Sequence, residues 1–186
     1  MREVELKAEI SPDNIPALIS YLEQQGYTEL GTIRQEDDYY NHPSRDFRKT
    51  DEAFRLRSVT PADGTPETFI TYKGRNLAET GQSREELECG VSDAAVMRAV
   101  LDRLGFVNVA PVHKTRRAFK NGDVTVCVDE VDGLGTFFEA EIVCAEADEP
   151  RASERLTALM DELAFVSPVM QPKTYLELII FGKTNG

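Results

Sequence analysis

Residues 3–7 read EVELK, and their alternation runs on through Ile10. Successive side chains of an extended strand point to opposite faces. Glu3, Glu5, Lys7 and Glu9 therefore share one face, while Val4, Leu6, Ala8 and Ile10 share the other. Alone, such a segment reads as an edge strand of an antiparallel sheet, its charges in water and its apolar side on a core. What constrains the fold is repetition, because strand after strand further along carries charges two residues apart on one face.

The segment AFRLRSV places Arg55 and Arg57 on one side and Phe54 and Leu56 on the other. Its partner TFITYKG has Lys73 in phase with Thr71 and Phe69, and SREELECGV aligns Arg84, Glu86 and Glu88. Three further strands, PVHKTRRAF, DVTVCVDEV and GTFFEAEIV, are joined by turns at Asn121-Gly122 and Asp132-Gly133. Lys114 and Arg116 share a face of the first, Asp129 and Glu130 close the second, and Glu139 and Glu141 share a face of the third. Residues 28–40 form one more extended segment, in which Asp37 and Tyr39 alternate with Asp38 and Tyr40, and residues 41–51 read as a loop.

Helical spacing covers the rest. Ile15, Leu18, Ile19 and Leu22 form one apolar stripe ended by Gly26, and a second helix opens at Ser92 with Ala95, Val96, Ala99, Val100 and Leu104, ended by Gly105. A third is expected from about Ser153 to Leu163, and TYLELIIF near the C-terminus reads as a helix or a strand.

The charged faces fall into two groups. Glu3, Glu5, Glu86, Glu88, Asp129, Glu139 and Glu141 are candidate ligands for a hard divalent cation, and Lys7, Arg55, Arg57, Lys73, Arg84, Lys114 and Arg116 are candidate phosphate binders. Neither group tolerates burial alone, since an unpaired charge taken out of water costs several kcal/mol. Mixed around one cavity with a metal and a polyanion, each stabilises the other. About eight antiparallel strands with charges inward can close into a polar barrel, whose apolar outer wall the helices would cover. The expected class is α+β, a closed eight-stranded antiparallel β-barrel with flanking helices, in one domain over 1–186.

Composition narrows the alternatives. A formal net charge of -12 argues against nucleic acid or an anionic membrane as partner. No secretory leader or membrane-length apolar run is visible, which predicts a cytoplasmic protein. Cys89, Cys127 and Cys144 are too scattered, and His42 and His113 too few, for a thiolate or imidazole metal site. Any metal would be held by oxygen.

EVELK resembles the E-x-E-x-K signature of the CYTH superfamily, the triphosphate tunnel metalloenzymes. DDYY, FRLR, TYKG, SREELE, HKTRR, VDEVDGLGTFFEAEI and KTYLEL resemble its further blocks, in order. The resemblance implies a tunnel open at both ends that holds a triphosphate. It implies that Glu3, Glu5, Glu139 and Glu141 coordinate Mg2+ or Mn2+, with Asp129 as an additional acid and Glu86 and Glu88 on a variable strand beside Arg84. Lys7, Arg55, Arg57, Lys73, Lys114 and Arg116 resemble the phosphate-binding set. The spacing of TYKG, SREELE and DEVDGLGTFFEAEI is similar to the CyaB-like group named for class IV adenylate cyclase, which converts ATP to cyclic AMP and pyrophosphate. Relatives are thiamine triphosphatases and inorganic triphosphatases, so hydrolysis of tripolyphosphate, thiamine triphosphate or a nucleoside triphosphate is the alternative. A non-catalytic polyphosphate or nucleotide binder is the reading from another class. In the hydrolytic reading Lys7 takes the proton if neighbouring cations lower its pKa. Tyr39, Tyr40, Phe47 and Phe54 are candidates to contact an adenine or thiazole, with core packing as the alternative, and a homodimer through outward apolar surface suits this fold.

Overall fold

A computed structural model describes residues 2–62, 64–78 and 82–182. The elements in chain order are β1 (Arg2–Glu9), α1 (Ile15–Gln24), β2 (Thr28–Asn41), α2 (Phe47–Thr50), β3 (Ala53–Pro61), β4 (Glu67–Lys73), β5 (Gln82–Val91), α3 (Ala94–Arg103), β6 (Val107–Asn121), β7 (Val124–Val131), β8 (Gly135–Cys144), α4 (Glu149–Glu162), β9 (Val169–Met170) and α5 (Tyr175–Phe181).

The sheet runs β5-β4-β3-β2-β6-β7-β8-β1, and β1 pairs back onto β5, closing an eight-stranded antiparallel barrel. β1 is shared along its length. Its first half, Arg2 to Glu5, pairs with β5, while Ala8 and Glu9 pair with the two-residue β9.

The main core lies outside the barrel. Val4, Leu6 and Ala8 of β1 and Ile10 just after it, with Val124, Val126 and Val128 of β7, are buried against Leu18 and Leu22 of α1 and Leu156, Leu159 and Met160 of α4. α3 covers another sector, packing Leu101 with Leu56 and Tyr40. The period-2 faces are thus turned as the charge argument requires, charged inward and apolar outward, except toward one end, where Tyr39, Val112, Val131 and Phe137, in phase with the inward charges, form a second cluster with Tyr175 and Leu178 of α5.

Local chemistry adjusts several boundaries. α4 starts at Glu149, ahead of the expected Ser153, because Pro150 suits a first helical turn. The expected loop over 41–51 contains α2, where Asp46 accepts a hydrogen bond from the Arg48 amide. Asp93 rather than Ser92 caps α3, accepting from the Val96 amide at 2.9 Å. The ambiguous TYLELIIF is helical from Tyr175, fixed by a reciprocal capping box between Thr174 and Glu177.

Candidate functional site

The lumen holds a cavity of about 210 Å³. It brings together Glu3, Glu5, Lys7, Arg55, Arg57, Lys73, Arg84, Lys114, Arg116, Glu139 and Glu141, drawn from β1, β3, β4, β5, β6 and β8. Asp129, Glu86 and Glu88 do not line it. Cross-strand register explains the convergence: Glu5 stands opposite Glu141 and Lys7 opposite Glu139 across the β1–β8 pair, and Arg116 opposite Asp129 across β6–β7.

Asp129, fully buried, accepts from Lys114 Nζ at 2.7 Å, from Arg116 Nε at 2.7 Å and Nη2 at 2.6 Å, and from the Tyr175 hydroxyl at 3.0 Å. Glu139 pairs with Arg116, lies 3.5 Å from Lys7 Nζ and 3.9 Å from Lys114 Nζ. Burial pushes both carboxyls up, but Lys114 and Arg116 outweigh it and hold Asp129 below, and Glu139 well below, the usual range. Asp129 is thereby committed to neighbouring cations, which leaves little of it for the metal expected there.

Arg55 and Arg57 meet Asp37. Arg57 grips it through Nε at 2.6 Å and Nη2 at 2.7 Å, and despite burial Arg55 and Arg57 hold its carboxyl well below the usual range. Arg55 is held more loosely, at 3.4 Å from the Tyr39 hydroxyl, 3.7 Å from Asp37 and 4.0 Å from Glu86, and its buried Nε has no partner.

Toward the start of β1 the balance reverses. Glu3, Glu5 and Glu141 all have raised pKa values, with burial the largest cause. Glu141 reaches about 7 because Glu3, Glu139 and Glu5 add repulsion that Arg116 does not cancel. Lys73 pairs with Glu3 and with Glu86 at 3.0 Å, and Lys7 Nζ donates to Glu5 at 3.4 Å. The lumen is therefore polarised, with one wall rich in cations and one short of them.

That shortage is the fit test for a metal. Carboxylate oxygens crowded until they resist ionising are suitable donors for Mg2+ or Mn2+. Among the described residues no three His, Cys, Asp or Glu side chains already form a metal-holding group. Mg2+ is commonly held by one or two carboxylates together with substrate phosphates, so a lining of this kind fits without a finished cage.

Two expectations change. Lys7 faces Glu5 and Glu139 at 3.4 and 3.5 Å rather than cations, and they outweigh burial to raise its pKa. The condition set for it to act as a base, a pKa lowered by neighbouring cations, is therefore not met in this lining. Arg84, expected to bind phosphate, lines the cavity but spends its guanidinium on the Asp51 and Gly74 carbonyls at 2.7 and 2.8 Å and the Asp51 carboxylate at 2.9 Å. It ties two connections to the barrel. Glu88 accepts from the Thr71 hydroxyl at 2.9 Å.

Two residues escaped the sequence reading. Asp37 lacks a carboxylate two residues away in phase, so no charged doublet marks it, although it shares a strand face with Tyr39. Tyr175 is the first residue of α5, yet its ring sits 4.5 Å from Lys7 Nζ and 4.8 Å from Lys114 Nζ, and it packs with Tyr39, Val112, Val131 and Phe137 of β2, β6, β7 and β8. α5 therefore borders one mouth of the barrel, together with Phe47 and Glu52 from and beside α2. Tyr40 and Phe54 pack beneath α3, outside the lumen.

A family model described as the CYTH domain matches residues 1–168. A curated protein of Methanocaldococcus jannaschii, named "putative adenylate cyclase", is 35% identical over 179 residues, 96% of this chain and 98% of the relative. The solved structure of the PH1819 protein from Pyrococcus horikoshii OT3 superposes with a TM-score of 0.85 at 38% identity, covering 97% of this chain and 99% of that one. A Hippeastrum structure, described as a "putative adenylyl cyclase" that reveals a dominant triphosphatase activity, shares the fold with a TM-score of 0.69 at 18% identity, covering 99% and 97%.

Proposed function

The chain belongs to the CYTH domain family, and from that premise we propose a divalent-metal-dependent enzyme that acts on a triphosphate inside its barrel. The observation that carries this reading is the unsatisfied donor of Arg55, a buried guanidinium Nε with no acceptor, beside a wall of further cations. Burying such a donor unpaired costs about 1–3 kcal/mol or more, which an anionic oxygen in the lumen would recover.

Arg55, Arg57, Lys114, Arg116 and Lys7 would bind and orient the phosphate chain, because phosphoryl transfer depends mainly on positioning and charge neutralisation. Glu3, Glu5 and Glu141, with Glu139 behind them, would hold Mg2+ or Mn2+. When bound, such a metal offsets phosphate charge and lowers the pKa of an oxygen nucleophile. In the first reading that nucleophile is the ribose 3'-hydroxyl of ATP attacking the alpha phosphorus, with pyrophosphate leaving along the cationic wall. The name of the M. jannaschii relative supports it. In the second, a water attacks the terminal phosphorus, a reading favoured by the described activity of the Hippeastrum neighbour. The proposal includes a cytoplasmic location, which the free thiols of Cys89, Cys127 and Cys144 suit. No described helix is long and apolar enough to cross a membrane.

Purified protein incubated with Mn2+ or Mg2+ and, separately, ATP, tripolyphosphate or thiamine triphosphate decides between these readings. Cyclic AMP with pyrophosphate establishes the cyclase, released phosphate establishes the hydrolase, and substrate untouched in every tube rejects an enzyme in favour of a binder.

Arg55→Ala should lower kcat/KM by about 10- to 100-fold, the loss of one charge-assisted hydrogen bond of about 1.5–3 kcal/mol. The fold should survive, since Arg57 still neutralises Asp37. Unchanged kinetics with the favoured substrate would remove Arg55 from the phosphate set.

A further inference from the structure

Lys7 and Lys114 share one aromatic ring. Their ammonium nitrogens lie 4.5 and 4.8 Å from the centre of Tyr175, inside the ~6 Å over which a ring attracts a cation. Both lysines are buried, but carboxylates hold them unequally. Lys114 donates to Asp129 at 2.7 Å, whereas Lys7 reaches Glu5 and Glu139 only at 3.4 and 3.5 Å. The placement of Lys7 therefore depends on the ring more than that of Lys114 does.

The ring is itself fixed. Met170 and Val169 of β9 pair with Ala8 and Glu9, and the Gln171 amide donates to the Lys7 carbonyl at 2.8 Å. The chain leading into α5 is thus anchored on β1 at the very residue whose side chain the ring meets. Thr174 and Glu177 then start α5 with their capping box, Phe137 meets the ring edge-on with centroids 5.2 Å apart, and the hydroxyl donates to Asp129 at 3.0 Å.

We propose that Tyr175 is a positioning residue for phosphate binding: its ring sets the Lys7 ammonium, and with it Lys114, where the triphosphate is gripped. The inference rests on the triphosphate reading of the lumen. A lysine is a point charge on a flexible four-carbon stem, and ordering such a stem at the moment of binding costs affinity. A carboxylate at short range would order it in advance, but the phosphate would then have to displace an ion pair. The face of a neutral ring orders the ammonium through its quadrupole and presents no oxygen that competes for the charge. Lys7 keeps its N–H donors for incoming oxygens, because both neighbouring carboxylates stand at the long end of hydrogen-bonding range.

Lysine ε-methylene NMR of the metal-free full chain, assigned through the backbone, reads this positioning without a ligand. In the wild type the Lys7 and Lys114 signals should lie upfield of those of exposed lysines, shifted by the ring, with the order parameters of held side chains. Tyr175→Phe keeps the ring and should keep both properties. Tyr175→Leu should lower the order of Lys7 sharply and that of Lys114 less, since Asp129 still holds the latter. Calorimetry with tripolyphosphate and no metal should show the Leu variant binding about 10-fold or more weakly than the wild type, and the Phe variant within about threefold of it. Both variants lose the bond to Asp129, so a role in that bond alone would weaken binding equally in the two. Unshifted Lys7 and Lys114 signals in the wild type, a Lys7 that stays fully ordered in the Leu variant, or a Phe variant that binds as weakly as the Leu variant would each overturn the proposal. A wild type with an ordered, ring-shifted Lys7 that ignores tripolyphosphate would uphold the hold of the ring on Lys7 and overturn the triphosphate reading, so the two failures are told apart.

Discussion

Glu141→Gln should raise the thermal midpoint of the metal-free protein at pH 8 while erasing both its metal-dependent turnover and the stabilisation it gains from Mg2+ or Mn2+. Glu141 titrates near 7 in the folded chain, against an ordinary value of 4.5, because burial and the facing carboxylates Glu3, Glu5 and Glu139 oppose its charge more than Arg116 relieves it. A folded-state pKa raised for an acid means that between about pH 4.5 and pH 7 the folded state holds more protons than the unfolded chain. Stability from this group then falls as pH rises through that window. Above it the ionised carboxylate costs about 3 kcal/mol. Glutamine keeps the shape and cannot ionise, so it returns that amount, roughly 6–12 °C in a domain of this size. Glu3 and Glu5 shift the same way and add to the slope. A divalent cation at this wall reverses the sign, since it favours the ionised carboxylates. Its stabilisation should be larger at pH 8 than at pH 5.5 in the wild type, and protons should be released on binding, which calorimetry in buffers of different ionisation enthalpy measures. A Gln variant that is less stable without metal, or still stabilised by it, sinks the assignment of Glu141 to a cation-deficient metal wall.

Most of the barrel was legible because its faces are written with a period of two. A strand that puts Arg55 and Arg57, or Glu139 and Glu141, in phase declares which side faces the lumen, and the apolar residues between them declare the side the helices cover. What the pattern does not carry is who meets whom across strands. Asp129 and Glu141 look alike in sequence, acids on neighbouring hairpin strands, yet register places one opposite Arg116 and the other opposite Glu5. Lys7 reads as one of a group of cations, but its strand neighbours across β1–β8 are carboxylates, which reverses the direction of its pKa. Asp37 and Tyr175 were missed for a related reason: each is a single residue whose role depends on a distant element, Asp37 on the β3 arginines and Tyr175 on where α5 docks. Arg84 shows the converse. Its position on a charged strand face is legible, while its donors go to backbone carbonyls of connections that follow no period at all.

Asp129→Ala tests the other wall, and its expected effect is on folding before chemistry. The substitution removes the acceptor of Lys114, Arg116 and the Tyr175 hydroxyl at once, leaving two buried cations to share Glu139. Breaking a buried ion pair from one side costs about 3–5 kcal/mol, because the surviving charge is stranded out of water. For a chain of this length that is a fall of roughly 6–20 °C in the thermal midpoint. The deficit is one of negative charge, so an anion of the right kind should refill it. Tripolyphosphate added without metal should raise the midpoint of the Ala variant more than that of the wild type, because in the variant it meets cations already freed from their carboxylate. A primary metal ligand behaves otherwise: its loss would leave the metal-free midpoint almost unchanged, or raise it, and would abolish the response to Mg2+ or Mn2+. The two roles therefore predict opposite results in the absence of metal. A metal-free Ala variant as stable as the wild type would return Asp129 to the metal set and remove the cation-pairing role that its four hydrogen bonds describe.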